Sequence, residues 1–230
     1  AAPVAALLDA MPPLDPWSSS PAPERLVPRS IDRWTPEHVP IDDPTAPLES
    51  FLTPRWAELT PFSAPSGDAW RPEGPEPFLL LDAAVASLDL ERKALVLHQA
   101  WADRHGQLHP AGIYPIDDPA HQAWMLKGVI NPAFIAQAEE VVALGNHLTD
   151  PQKLSAEFWE SGAGTSFPPG NWMGFASWMA DQHSLSLSEQ VKLFFAVGQA
   201  VGDAGIAAWD AKWHFDYARP VRVIRDLAAL

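Results

Sequence analysis

Cysteine is absent from the 230 residues, which excludes disulfides, thiolate nucleophiles and cysteine-ligated zinc. Positive charge is scarce: 15 Lys and Arg stand against 29 Asp and Glu, for a formal net charge of −14. Polyanionic partners require a cationic surface, so nucleic acid and anionic membranes are both disfavoured. No apolar run reaches the length of a membrane span without interruption. The nearest, residues 193–209, contains Gln199, Asp203 and three glycines and reads as a buried core helix. Strand alternation and hairpin turn pairs are also missing. The chain therefore reads as all-α: a helical bundle with an irregular Pro-rich N-terminal arm.

What is present points to a folded protein. Hydrophobic residues make up 47% and charged residues 19% of the chain, a globular balance. The opening Ala1-Ala2-Pro3 fits the product of signal cleavage at small residues, or simple trimming, and the expected location is periplasmic or secreted. Seventeen of the 25 prolines fall in the first 77 residues. Proline removes a backbone donor and blocks helix interiors, so 1–77 reads as an extended arm wrapping a helical domain over 78–230. Trp17, Trp34, Phe51, Trp56, Phe62 and Trp70 are its expected anchors.

Beyond Pro77 the apolar spacing predicts helix over 79–105, with Asp89 capping a second segment. Asp118-Pro119 and Asp150-Pro151 each pair a capping residue with Pro at the first helical position. A helix is expected over 133–147, another from Asp150 through Trp159, then a loop over 162–169 and a helix over 171–183. Ser186-Leu187-Ser188-Glu189 is a capping-box pattern opening the longest helix, 187–217. Gly198, Gly202 and Gly205 fall near one face and would permit close helix crossing. Trp101…Tyr114 and Trp159…Trp172 align as a weak repeat of helix end, Gly stop and Pro/Gly loop.

The chemistry concentrates near the C-terminal end. Lys212 and Arg219 lie seven residues apart, about 10 Å along a helix axis. Pro220 disfavours helix at Arg219, and a break there would swing the guanidinium toward Lys212. Two such cations suit a tetrahedral oxyanion, Arg as a planar fork and Lys as a point charge. The plainer alternative is a helix-end salt bridge from Asp216 to Lys212. The histidines offer no metal-ligand spacing: His98 and His105 fall seven apart on one face, and His183 sits near a helix end, where the dipole suits it. The Ile-Asp-Asp-Pro segments at 41–44 and 116–119 read as turns and caps.

Lys212 to Pro220 resembles the first signature, K-x6-R-P, of the vanadium-dependent haloperoxidase and type 2 phosphatidic acid phosphatase superfamily. Asp203-Ala204-Gly205-Ile206 with Trp209, Ala156-Glu157-Phe158-Trp159 with Pro168-Pro169-Gly170-Asn171-Trp172, and Phe51-Leu52-Thr53-Pro54-Arg55-Trp56 with Thr60-Pro61-Phe62 are similar to the bacterial haloperoxidase branch. The resemblance implies a helical bundle that holds vanadate, or phosphate in its place, with Lys212 and Arg219 as ligands. It further implies an electrophilic, catalytic role for Lys212 on bound peroxide, halide as the second substrate, and Trp209 lining the halide side.

The family's two later signatures, P-S-G-H and S-R-x5-H-x3-D, do not occur in this sequence, and ten residues follow Pro220. Pro65-Ser66-Gly67-Asp68 ends in Asp and reads as a turn. The expectation is an N-terminal portion or subunit whose histidines come from a C-terminal half or second chain. That partner would also complete the apolar helix faces. The alternatives are a phosphatase on the same scaffold, or a non-catalytic assembly subunit.

Overall fold

The computed structural model of the chain describes residues 30–41, 43–49, 53–162 and 164–230, apart from the Pro54 side chain. Trp17, Phe51, Asp42 and the Ala1-Ala2-Pro3 start lie outside them. The described residues are mostly helical, 51% in six α-helices and two short 3-10 turns, with a small antiparallel sheet. The all-α expectation is corrected by that sheet. Strand β1 (Ala86–Asp89) pairs with β2 (Ala94–Leu97), and β2 with β5 (Gly112–Pro115). The short strands β3 (Trp101–Ala102) and β4 (Leu108–His109) form a second hairpin.

The helix expected over 79–105 fails for identifiable reasons. Ala94-Leu95-Val96-Leu97 is the central strand, with Ala94, Leu95 and Leu97 all buried. A continuous apolar run carries no period by which helix and strand differ. The turn before it uses no glycine. Asp89 Oδ1 accepts the Glu91 and Arg92 N–H groups at 3.1 and 2.9 Å, and Lys93 takes a φ of +50°. Asp89 thus caps a turn, where a helix cap was expected. In the next turn Asp103 Oδ1 accepts the His105 and Gln107 N–H groups, and Gly106 supplies a φ of +79°. The apparent repeat has no structural basis, because its first copy is strand and its second spans a helix end and a helix start.

Among the described residues two compact units interleave along the chain. One comprises His38–Glu73 and Pro151–His214; the other comprises 30–37, Gly74–Asp150 and Phe215–Leu230. The second unit contains both hairpins, α1 (Pro119–Gly128), α2 (Pro132–Asn146) and α6 (Pro220–Ala229). The expected Asp118 cap forms, accepting the Ala120 N–H, and Asn131, not anticipated as a cap, accepts the Ala133 N–H; Asp150, the other expected cap, is the first residue of its helix. The Asn131 amide also donates to Glu76 and to the Pro77 carbonyl. Its core joins Ile31, Phe78, Leu95, Leu97, Met125, Val129 and Phe134 with Ala218 and Val223.

The first unit holds most of α3 (Asp150–Glu160), α4 (Phe167–Gln182) and α5 (Leu187–Phe215). Helix α4 begins four residues before its expected start, on Phe167 ahead of two prolines, so the expected loop over 162–169 is shorter. The α5 capping box is reciprocal: the Ser186 N–H donates to Glu189 Oε2 at 2.8 Å, and Ser186 Oγ accepts the Glu189 N–H at 3.4 Å. Helix α5 ends at Phe215, two residues before its expected end. It is not the buried core helix expected: of its residues only Asp203 and Ile206 are buried, while Leu187, Val191 and Phe195 are exposed. By length and composition alone it is long and apolar enough to cross a membrane. Among the described residues, nothing lies within 4 Å of a Cβ built on Gly198 or Gly202, so the expected close crossing is seen only at Gly205, against Trp56.

Candidate functional site

In the first unit the site is built on the C-terminal half of α5. The proline-rich arm cannot extend a helix, and over 53–71 it makes only two 3-10 turns, Pro54–Glu58 and Gly67–Trp70. Three polar and aromatic anchors fasten this segment to α5. Asp203 accepts the Phe62 N–H at 2.7 Å, the Ser63 N–H at 3.0 Å, and the Ser63 hydroxyl. The Arg71 guanidinium grips Asp210 through Nε and Nη2 at 2.8 and 2.9 Å, a bidentate fork. Trp56 packs on Trp209 with ring centroids 5.9 Å apart. Gly67 allows the close approach, since a Cβ there would stand 2.9 Å from that of Asp210. The Pro65–Asp68 stretch is thus a turn, as expected. Among the described residues, Trp56 is the expected arm anchor whose ring is seen packed on α5. Phe62 and Trp70 are 75% and 44% exposed, and Trp34 lies in the second unit, where its N–H donates to the Asp216 carbonyl.

The Ser63 hydroxyl, with the Phe62 and Ser63 N–H groups, holds the Asp203 carboxyl below its usual range against the opposing effect of burial. A carboxyl with a depressed folded pKa contributes stability above its unfolded value near about 4, and loses it as pH falls through the folded value. Thermal melts between about pH 6 and pH 3 are expected to show Asp203→Asn with a flatter acid limb than the wild type. Equal slopes would remove Asp203 from the acid response.

Lys212 lies one turn beyond Trp209. Its side chain is exposed, and its Nζ stands 4.6 Å from the Trp209 ring centroid, a cation–π distance. Asp210, the nearest acid along the helix, is held by Arg71. The alternative of an Asp216–Lys212 bridge presupposed an unbroken helix. Asp216 instead follows the helix end with a φ of +49° and pairs with Arg33 at 3.8 Å.

Arg219 belongs to the second unit. It has the extended conformation expected before proline, φ −72° and ψ 144°, and is the N-cap residue of α6. Its flanks are anchored firmly. The Ala218 N–H donates to the Asp32 carbonyl. The Tyr217 hydroxyl donates to the Glu76 carbonyl at 2.6 Å. Arg222, 2% exposed, donates to the Ser30 and Arg33 carbonyls at 2.9 and 2.7 Å, to the Thr35 hydroxyl, and to Asp226 at 3.2 Å.

Burial, and then the negative charges of Asp32 and Glu76, push the Tyr217 phenol up to about 12. A raised folded pKa gives a contribution fully present below the unfolded value near about 10 and lost as pH rises toward the folded value. A phenolate absorbance titration should therefore show one of the two tyrosines ionising late, and Tyr217→Phe should remove that late step. A late step that survives in Tyr217→Phe would contradict this assignment.

The histidines are dispersed. His98 and His105 share no helix face, the first following β2 and the second lying in the β3–β4 turn. His109 is buried and stacked between Trp101 and Trp124, with centroids at 5.5 and 4.1 Å. His183 is the C-cap of α4, as expected. Among the described residues no group of three or more His, Asp or Glu could hold a metal ion. The residues missed in the sequence are Asp203, Arg71–Asp210 and Arg222. The partners of the first two lie some 140 residues away in sequence and leave no local trace, whereas Arg222–Asp226 has the i,i+4 spacing of a helical ion pair.

Residues 192–229 match the family model described as the VCPO second helical-bundle domain. This stretch runs from within α5 through α6, and holds Trp209, Lys212 and Arg219. It relates that region to vanadium chloroperoxidase. No curated protein and no solved structure matches the chain. The family uses vanadate, but no binding site for it is evident here. The described residues offer an exposed ammonium without the histidine that would bond the metal, so they do not form the complete site.

Proposed function

We propose that the chain is the N-terminal portion or subunit of a vanadium-dependent haloperoxidase-like enzyme. It contributes Lys212 and Arg219 to an oxyanion site that a second polypeptide, bearing the P-S-G-H and S-R-x5-H-x3-D signatures, completes. The observation that carries this reading is the family match over 192–229, which contains the K-x6-R-P run in register with the helix end and the proline break. Two features support it. Asp210, the acid nearest Lys212 along α5, is held by Arg71, which leaves the ammonium charge for a ligand. Phe158, Trp159, Trp172, Trp178 and Phe195 are more than half exposed, an unusual outlay of large apolar side chains that suits a chain with a partner.

The chain's own residues bind and orient. Lys212 supplies three donors on a flexible stem, and Arg219 a planar fork. Together they would neutralise an anion and fix its oxygens. Trp209 would present its indole on the same side. The substrates under this reading are hydrogen peroxide and a halide.

Bromide oxidation with peroxide and orthovanadate tests the reading on the chain mixed with a polypeptide carrying both histidine signatures. Activity that appears only in the mixture, and rises with vanadate, supports it. Vanadate that inhibits a phosphatase activity of the mixture would favour the phosphatase, and an inert mixture would favour the assembly subunit.

A further inference from the structure

Lys212 is an exposed residue on a helix end, and a free lysine side chain there samples many rotamers. The structure gives its ammonium one definite seat, the face of Trp209 at 4.6 Å. Gly205, Trp209 and Lys212 follow at i, i+4 and i+7, so they share one face of α5. Trp56, from the proline-rich arm, covers this face. Its ring is 5.9 Å from that of Trp209, and a Cβ on Gly205 would stand 3.0 Å from it. The Trp56 Nε1 is buried without a hydrogen-bond partner among the described residues. Packing alone therefore holds the ring, and the indole N–H adds nothing to its place.

We propose that Trp56 is a positioning residue for Lys212, acting through Trp209. The two indoles form a shelf that holds the ammonium in place for an oxyanion. An aromatic face suits this task because it attracts the cation while leaving the N–H donors free to point at a ligand. A carboxylate in the same place would consume both charge and donors. The arm keeps the nearest carboxylate along the helix, Asp210, occupied by Arg71. The glycine at 205 is the seat that lets the Trp56 ring approach the helix. The shelf's purpose rests on the reading of Lys212 as an oxyanion ligand, whereas its geometry does not.

The test uses the full chain with its lysines 13C-dimethylated, which preserves their charge, mixed with the unlabelled polypeptide that carries both histidine signatures. Lys212 is assigned by its loss in Lys212→Arg and followed by 1H–13C NMR with added orthovanadate. The ring current of Trp209 is expected to shift the Lys212 methyls upfield of those of the other lysines. Trp209→Leu should abolish the shift and Trp56→Ala reduce it, while Trp56→Phe, which keeps a ring, retains it. The orthovanadate concentration needed to perturb the Lys212 signal should rise about threefold to fivefold in Trp56→Ala and return toward wild type in Trp56→Phe. An identical shift and orthovanadate response in Trp56→Ala and wild type overturns the shelf and leaves the oxyanion reading standing. A Lys212 signal that shifts upfield but ignores orthovanadate in the wild type overturns the oxyanion reading, and the role given to the shelf with it.

Discussion

Lys212→Ala, in the enzyme completed by its histidine-bearing partner, is expected to lose about a hundredfold to a thousandfold in halide oxidation. The loss follows from what the side chain offers. It is an exposed cation, seated on an indole, with the acid two residues before it already gripped by Arg71. Removing it leaves an anion short of one charge and three donors, and the neighbouring Trp209 cannot replace either. Lys212→Arg keeps the charge but exchanges a compact point charge for a planar fork, so partial activity is expected. Steady-state bromide oxidation at saturating vanadate measures both variants. A Lys212→Ala enzyme within a factor of two of the wild type would place the catalytic cation elsewhere.

Arg222→Ala is expected to destabilise the second unit by about 3–5 kcal/mol. The side chain is almost wholly buried, and its guanidinium is the common partner of the Ser30 and Arg33 carbonyls, the Thr35 hydroxyl and the Asp226 carboxylate. Truncation takes one charged donor from each of the four, including a carboxylate. Leaving buried acceptors unpaired costs more than the net gain of the bonds they made. The same contacts tie 30–35 to the start of α6, so the segment carrying Arg219 should loosen as well. Urea unfolding reports the loss, and hydrogen exchange in α6 should accelerate in parallel. Arg222→Lys, which keeps charge without the fork, should recover only part of the stability. A midpoint unchanged in Arg222→Ala would mean that these bonds are replaced by water at no cost.

Helices α1 to α5 were legible from local signals, whereas α6, beyond the break at Pro220, was not read. Asp118 and Asn131 cap, Pro119 and Pro132 occupy the first turn, and Ser186 with Glu189 closes a box. The strands were not legible. Their central member is uniformly apolar, and their turns rest on Asp89, Lys93 and Asp103, residues that also occur in helices. At the site, Lys212, Trp209 and Arg219 were visible as a motif because they are close in sequence. The anchors Ser63–Asp203 and Arg71–Asp210 join segments about 140 residues apart, and no periodicity encodes such pairings. The proline-rich arm was recognised as non-helical from composition, but composition could not say that Trp56 packs on α5 while Trp34 lies in the second unit.

The most direct test of the shared oxyanion site is the vanadium retained per chain after equilibrium dialysis against orthovanadate. Stoichiometric vanadium is expected in the mixture of this chain with the polypeptide carrying P-S-G-H and S-R-x5-H-x3-D, and little in either component alone or in the mixture made with Lys212→Ala. Stoichiometric retention by the chain alone, or retention in the mixture that is indifferent to Lys212→Ala, would contradict it.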